Sequence, residues 1–180
     1  GTVSYVRTNT YENVGVYTDV LDAIYTSNTN YTVTVNKGNF EITPATGRAL
    51  EITSYSGIYD GAAHSIEVVA ASLVDGDTVY YSLTNNGTDW STEKPMFTNV
   101  TATTIVYVKV TNDNYTDRTG TGTVTITPAP VTIVVDDKSK VYGMADPAFT
   151  GTVNGLVNEV DLGTVSYVRT NTYENVGVYT

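Results

Sequence analysis

The stretch IVYVKV, residues 105–110, decides the fold class of this 180-residue chain. Its three valines, at 106, 108 and 110, fall on one face of an extended chain, and Ile105 and Tyr107 fall on the other. Side chains alternate between the two faces of a β-strand, and β-branched and aromatic residues suit a pleated, half-buried surface. The stretch therefore predicts a strand with a buried face.

The same alternation recurs in short segments along the chain. It is found at Tyr31–Val35, Ile66–Ala70, Val79–Leu83 and Val124–Ile126, and turn-forming sequences such as YDGAAH, VDGDT and TNNGTDW separate these segments. Helical patterns are weak, and we expect at most a helical turn or two at 19–25 and 154–162. The pattern predicts an all-β protein of tandem small β-sandwich (immunoglobulin-like) domains.

Composition and charge exclude several classes of function. The chain has no cysteine, which removes disulfides and thiol-based metal or redox chemistry, and it has no apolar run of the roughly 20 residues that a membrane-spanning helix needs. The net charge of -10 argues against nucleic acid as a partner, because phosphate binding needs clustered Lys and Arg. We expect neither nucleic-acid binding nor membrane insertion in this segment.

The sequence begins and ends on the same eighteen letters, GTVSYVRTNTYENVGVYT, at residues 1–18 and 163–180. Residue 163 therefore corresponds to residue 1, which gives a period of 162 residues. A period of that length is too long for a solenoid unit, so each repeat should contain whole domains. We interpret the chain as a window on a tandem array, with a designed duplication or circular permutation as the alternative.

Two similar phrases mark the domain boundaries. FEITPA at 40–45 and VTITPA at 124–129 each end an alternating strand on Thr-Pro-Ala, and proline suits the exit of a last strand because it cannot donate to the ladder. These phrases predict three pieces, which are 1–44, 45–128 and 129–180. We expect only the middle piece to be a complete domain, and the outer two to be the C-terminal and N-terminal parts of a second domain type.

The outer pieces resemble the MBG-type repeats of bacterial surface adhesins. The phrases that carry the resemblance are KVYGMADPAFTGTVNGL from Lys140, then YENVGVYT, then NYTVTVNKGNFEITP. The motif positions are Tyr142, Gly143, Pro147, Gly15, Tyr17, Asn30, Tyr31, Gly38, Ile42 and Pro44. Met144 departs from the family, which often has a small polar or acidic residue there. The resemblance leaves a β-grasp-like sheet open as an alternative fold for this unit, and it supplies no ligand residues.

The middle piece is similar to the bacterial immunoglobulin-like repeats that alternate with such domains. Its matching phrases are YDGAAHS, TVYYSLTNNGTDWS and VYVKVTNDNYTD. Together the two resemblances imply an extracellular location on the bacterial cell surface and a role in cell adhesion. They also imply that the domains act as stalk modules.

Candidate chemistry is sparse. Asp75, Asp77, Asp113 and Asp117 lie in turn sequences and are weak candidates for a calcium site, with solvated turn acids as the alternative. His64 is the only histidine, so we expect a structural role for it. Lys109 is the best-placed lysine for an internal isopeptide bond, and a solvent-facing side chain is the alternative.

Trp90, the only tryptophan, is a weak candidate for stacking on a sugar ring, and packing over the sandwich edge is the alternative. The sequence thus predicts a structural stalk or filament segment that acts as a spacer or tether and is not an enzyme. A glycan- or mucin-binding adhesion module is the alternative. We expect no cofactor. The expected partners are neighbouring repeats of the same protein, including head-to-tail self-association, and host or matrix glycans.

Overall fold

The computed structural model of the chain describes residues 2–179. Within these residues there are eleven β-strands, one short 3-10 turn at Ala70–Ser72 and no α-helix. The strands are β1 (Ser4–Arg7), β2 (Gly15–Ile24), β3 (Gly38–Ile42), β4 (Ile52–Thr53), β5 (Tyr55–Ile58), β6 (Glu67–Val68), β7 (Thr78–Ser82), β8 (Thr101–Asn112), β9 (Tyr115–Thr127), β10 (Thr132–Val135) and β11 (Gly151–Asn154). The all-β prediction is confirmed. Residues 2–179 contain no helix of the length and apolarity that crossing a membrane requires.

The strands form four sheets. Their strand orders are β1-β2-β3, β4-β6, β5-β9-β8-β7 and β10-β11. β5 and β9 pair in parallel, with Tyr55 opposite Val124 and Ile58 opposite Thr127. The pairings β1-β2, β2-β3, β4-β6, β7-β8 and β10-β11 are antiparallel.

The chain divides into two compact units. The first contains 2–54 together with Ile66–Pro95 and Ile105–Gly122, and the second contains Tyr55–Ser65, Met96–Thr104 and 123–179. The β1-β2-β3 sheet and the pairings of β4 with β6 and of β7 with β8 lie in the first unit. The pairings of β5 with β9 and of β10 with β11 lie in the second.

The core of the first unit is built on the alternation that the sequence predicted. Val106, Val108 and Val110 of β8 are at most 1% exposed, and Ile66 is fully buried. In the second unit Val124 and Ile126 of β9 are buried in the same way. These inward faces were readable from the sequence because a strand side chain returns to the same face every second residue.

Two layers of sheet meet over glycines of β9. A Cβ atom at Gly122 would lie 2.7 Å from Cγ2 of Ile66 and 2.8 Å from Cγ2 of Ile52. Hydrogen at this position is what lets Ile52 of β4 and Ile66, next to β6, pack directly on the β9 backbone. The result is a sandwich-like arrangement in the first unit, as expected from the sequence.

Two local predictions were wrong. Tyr31–Val35 forms no strand; Tyr31 is 74% exposed and Val33 is 48% exposed. An alternating pattern shows which side chains would share a face, but a strand forms only where a neighbouring strand is available for backbone hydrogen bonds. The edge of β2 that could have paired with Tyr31–Val35 pairs with Gly38–Ile42. The helical turn expected at 19–25 is also absent, because β2 continues to Ile24 through an irregularity between Tyr17 and Leu21, with Asp19 at a φ of 56°.

The other expected helical turn, at 154–162, is an isolated turn. The Asp161 amide donates to the Asn158 carbonyl oxygen at 3.1 Å, and no helix follows. The β-grasp alternative for the MBG-type unit and the predicted division into 1–44, 45–128 and 129–180 stay predictions.

Candidate functional site

The acidic residues proposed for calcium lie in different environments. The side chain of Asp77 is buried, at 2% exposed, whereas Asp75, Asp113 and Asp117 are exposed. Within residues 2–179 no three His, Cys, Asp or Glu side chains come together in a group that could hold a metal ion. The calcium candidacy of these residues stays a prediction.

Asp77 is the centre of a buried ion-pair cluster in the first unit. One carboxylate oxygen accepts from Arg118 at 2.6 Å, from Arg48 at 3.2 Å and from the Val74 amide at 3.0 Å, and the other accepts from Asn112 at 3.0 Å. Any cation bound by Asp77 would compete with two guanidinium groups. The geometry makes Asp77 a structural anion that ties β8 and β9 to the loop before β7.

The pKa of Asp77 reflects these contacts. Burial on its own raises the pKa of a carboxyl group, but the hydrogen bonds from Arg48, the Val74 amide and Asn112, with the charge of Arg118, outweigh burial and lower it to about 2. Sequence reasoning missed Arg118, which is 9% exposed. The signal was present, since the two-residue period through Val124 and Gly122 places residue 118 on the inward face.

Trp90 lies beside a shallow groove in the first unit. The groove has a volume of about 260 Å³ and is lined by Asn85, Trp90, Tyr107, Val108, Thr119, Gly120 and Thr121. The Lys109 ammonium nitrogen lies 5.1 Å from the Trp90 ring centroid and 5.3 Å from that of Tyr80. These cation–π contacts place Lys109 against aromatic rings. Its candidacy for an isopeptide bond stays a prediction.

His64 has local partners. Its ring stacks on Tyr55 with centroids 4.0 Å apart, and its Nε2 lies 2.9 Å from the Asp60 carboxylate. The hydrogen bond from His64 lowers the pKa of Asp60, as does the Ala62 amide that also donates to it. The backbone of His64 also pairs with that of Phe97, since each amide donates to the other residue's carbonyl oxygen at 2.9 Å. Through these contacts His64 holds the loop after β5 in place.

The segment KVYG forms a tight turn. The Met144 amide donates to the Val141 carbonyl oxygen at 3.0 Å, and Gly143 has a φ of 82°. A positive φ at the third position of a turn favours glycine, which accounts for Gly143. Tyr142 is 68% exposed at the tip of this turn, and Pro147 lies in the loop that follows.

The remaining motif residues fall in the first unit. The Tyr17 hydroxyl donates to the Asn13 carbonyl oxygen at 2.6 Å, and the Tyr17 ring lies 5.5 Å from that of Tyr11. Gly38 pairs with Leu21 across β2 and β3, and a Cβ at Gly38 would lie 3.3 Å from the Leu21 Cβ. Asn30 and Tyr31 form a turn closed on Asn28, and Gly15 begins β2.

A charged cluster joins the KVYG segment to the second copy of the eighteen-residue terminal repeat, which begins at residue 163. Sequence reasoning missed this cluster. The Lys140 ammonium lies 2.7 Å from the Asp146 carboxylate and 2.6 Å from that of Glu174, which also binds Arg169 at 2.5 Å. Hydrogen bonds to Asp146 and Glu174 raise the pKa of Lys140, and those from Lys140 and Arg169 lower the pKa of Glu174. We refer to Lys140, Asp146, Arg169 and Glu174 as the charged quartet.

Side chains also connect the pieces on either side of each predicted boundary. In the first unit Asn114 accepts from the Val14 amide at 2.9 Å and donates to the Asn13 side chain at 3.3 Å. In the second unit the Tyr59 hydroxyl donates to Asp161 at 3.2 Å. Pro44 leads into Ala45, whose amide donates to the Asn114 carbonyl oxygen at 3.0 Å.

The comparison with protein families bears on the second unit. Residues 131–180 match the family model of the MBG domain (YGX type). This part of the chain is similar to an MBG-type repeat. The matched range includes the Tyr142–Gly143 turn, Pro147 and the charged quartet, and MBG domains are typical of bacterial surface proteins.

The other comparisons gave no match, either among curated proteins or among solved structures. The resemblance of residues 45–128 to bacterial immunoglobulin-like repeats stays a prediction. The MBG-type resemblance is confirmed for the part of the chain that begins at Val131.

Proposed function

We propose that this chain is a segment of a repetitive extracellular bacterial adhesin or surface fibre, in which it serves as a spacer and tether without enzymatic activity. The MBG-type repeat supports a bacterial surface protein of the adhesin kind. One structural observation carries the mechanical part of the proposal, and it is the parallel pairing of β5 with β9.

The direction of these two strands decides how force would act on the middle piece. The chain enters the ladder at Tyr55, whose partner is Val124, and it leaves the ladder after Thr127, whose partner is Ile58. Tension applied before β5 and after β9 pulls the two strands along their length in opposite directions. The ladder hydrogen bonds are then loaded together in shear, so the piece resists extension more than a ladder opened one bond at a time.

The joints of the proposed spacer are supported as well. Asn114 holds the backbone amide of Val14 across the boundary at Pro44, and Tyr59 reaches Asp161 across the boundary at Pro128. Pro128-Ala129-Pro130 further restricts the backbone at the second boundary. The partners that this arrangement implies are neighbouring repeats of the same protein, and the net charge of -10 opposes collapse of an array.

Single-molecule force spectroscopy of the chain tests the proposal. A chain held at its two ends should give a discrete unfolding event that releases roughly 280 Å of contour length, the extended length of residues 45–128. A chain that lengthens smoothly at low force, with no such event, would contradict the spacer function.

A glycan-binding module is the second candidate, favoured by the groove beside Trp90. Tyr107, Thr119 and Thr121 supply hydroxyl groups next to the indole, a combination that suits a sugar ring. Glycan-array binding by the wild type that is lost in Trp90→Ala and kept in Trp90→Phe would support this function. Absence of binding by the wild type at high concentration would exclude it for the glycans tested.

A further inference from the structure

Lys109 has no carboxylate partner within the part of the chain that the structure describes. The sequence contains nine Lys and Arg residues, and all of them except Lys109 form an ion pair with an Asp or Glu of residues 2–179, at nitrogen–oxygen distances of up to 3.7 Å. A shortage of carboxylates does not explain the exception, because the chain has 19 Asp and Glu. Lys109 is therefore the cation that is left to pair with an acidic ligand.

Two aromatic rings hold Lys109 on the outer face of its sheet. Lys109 alternates with the buried Val108 and Val110, so its side chain lies on the face opposite the core. Its ammonium nitrogen lies 5.1 Å from the ring centroid of Trp90 and 5.3 Å from that of Tyr80, the residue opposite Lys109 in the β7-β8 ladder. A ring face attracts a cation without cancelling its charge, so the ammonium keeps the capacity to bind a carboxylate.

The segment that carries Trp90 is fastened on both sides of the indole. On one side, the Asp89 carboxylate accepts a hydrogen bond of 2.8 Å from the hydroxyl of Ser82, which is buried in β7. On the other side, Ser91 and Tyr81 exchange backbone hydrogen bonds of 2.7 and 2.9 Å. Trp90 is thus held in place before a ligand binds, which reduces the entropy that binding would cost.

The groove beside Trp90 supplies neutral hydrogen-bonding groups. Its lining includes the side-chain amide of Asn85 and the hydroxyl-bearing residues Tyr107, Thr119 and Thr121. Within residues 2–179 the lining contains no Asp or Glu, so no carboxylate of the groove wall would repel an acidic ligand. An indole, several neutral polar groups and a neighbouring ammonium suit a sugar ring that carries hydroxyl groups and one carboxylate.

We propose that this groove binds uronic-acid units of an acidic polysaccharide, with the sugar ring against Trp90 and the sugar carboxylate paired with Lys109. The proposal rests on the glycan-binding candidate under the proposed function, and it names the class of ligand. The carboxylate of a uronic acid is attached directly to the sugar ring. One sugar unit therefore reaches both the indole and the ammonium nitrogen, which lie 5.1 Å apart.

The charge of Lys109 favours an acidic sugar over a neutral one. A neutral sugar leaves the ammonium without a counter-charge, whereas a carboxylate forms a charge-assisted hydrogen bond with it, roughly twice as strong as a neutral one. The net charge of -10 repels an acidic ligand at long range. Salt at physiological strength screens that repulsion beyond about 8 Å, so the short contact with Lys109 decides which sugar the groove selects.

The test follows the fluorescence of Trp90, the only tryptophan, while the full chain is titrated with two matched ligands. The ligands are an oligogalacturonate and its fully methyl-esterified form, which keeps the sugar rings and removes their charge. The wild type should bind the acid about tenfold more tightly than the ester. Lys109→Gln should abolish this preference, and Lys109→Arg should keep it. Unchanged binding of the ester by Lys109→Gln shows that the groove stays folded.

Lys94→Gln is the matched control, because it removes a lysine of the same unit that already pairs with Glu67, and it should leave the preference unchanged. The proposal is overturned if the wild type binds neither ligand, binds both equally or prefers the ester, or if Lys109→Gln still prefers the acid. Equal binding of both ligands overturns only the acidic ligand, whereas absence of binding also counts against the glycan-binding candidate. The force measurement tests the spacer function without any ligand.

Discussion

At the scale of single residues, Asp77 is the group whose chemistry is most altered by the fold. Its pKa falls from 3.8 to about 2, so the folded state favours the ionised form more strongly than the unfolded state does. The resulting stability is fully present above about pH 4 and is lost as the pH falls towards 2. Asp77→Asn should remove this acid dependence, which urea unfolding at several pH values will show.

The same substitution should lower stability at neutral pH. Removing one charge from a buried ion pair typically costs about 3 kcal/mol, because the guanidinium groups of Arg48 and Arg118 lose their counter-charge. Asp117→Asn is the matched control, since it makes the same change in charge at an exposed position. Equal losses in the two variants would contradict the structural role of Asp77.

Substitutions at Gly143 test the conformational cost of a positive φ without a steric contribution. Nothing lies within 4 Å of a Cβ built there, so the cost of a side chain comes from the φ of 82° alone. We expect Gly143→Ala to destabilise the MBG-type repeat by about 1 kcal/mol and Gly143→Asn by less, since asparagine tolerates this region better. Thermal unfolding measures both variants, and a neutral Gly143→Ala would show that the turn is not needed.

Sequence reasoning reached some residues and missed others for physical reasons. The buried faces of β8 and β9 were readable at Val106, Val108 and Val124, because alternation depends only on neighbours in sequence. The charged quartet was not readable, because Lys140 and Glu174 are 34 positions apart and a carboxylate in a loop gives no sign of its partner. The pairing of Asp77 with Arg48 and Arg118 was not readable from the sequence for the same reason, and Asp77 was therefore considered as a calcium ligand.

At the scale of elements, the two copies of the terminal repeat show how far local sequence determines a strand. Ser4–Arg7 pairs with Leu21–Ile24 and forms β1, whereas Ser166–Arg169 has the same letters and forms no strand among the described residues. The failed prediction at Tyr31–Val35 has the same origin. A ladder partner, supplied elsewhere in the chain, completes the specification of a strand.

The glycines of β9 give a test of sandwich packing. Gly122→Ala places a methyl group against Cγ2 atoms of two β-branched residues, Ile52 and Ile66, and it should cost about 1–3 kcal/mol through overpacking. Gly120→Ala is the control, because its nearest side-chain atom is the mobile Cδ1 end of Ile52 at 2.7 Å. Chemical denaturation should rank Gly122→Ala as the more damaging variant. The reverse order would argue against this layer contact.

At the scale of the whole molecule, the proposed function is a mechanical one. Under the proposed function, the parallel β5-β9 ladder is the element that resists tension, and the hydrogen bonds of Asn114 and Tyr59 connect the pieces on either side of the predicted boundaries. The absence of cysteine from the sequence is useful here, since introduced cysteines become unique attachment points for force.

The most direct measurement pulls the same ladder in two directions. Thr46→Cys with Ala129→Cys applies force at opposite ends of the β5-β9 pair, and Ala62→Cys with Ala129→Cys applies it at one end. The first geometry shears the ladder and the second unzips it, so the unfolding force should be clearly higher for the first pair in single-molecule pulling. Equal forces, or a higher force for the second pair, would contradict the claim that this chain resists tension through the parallel ladder.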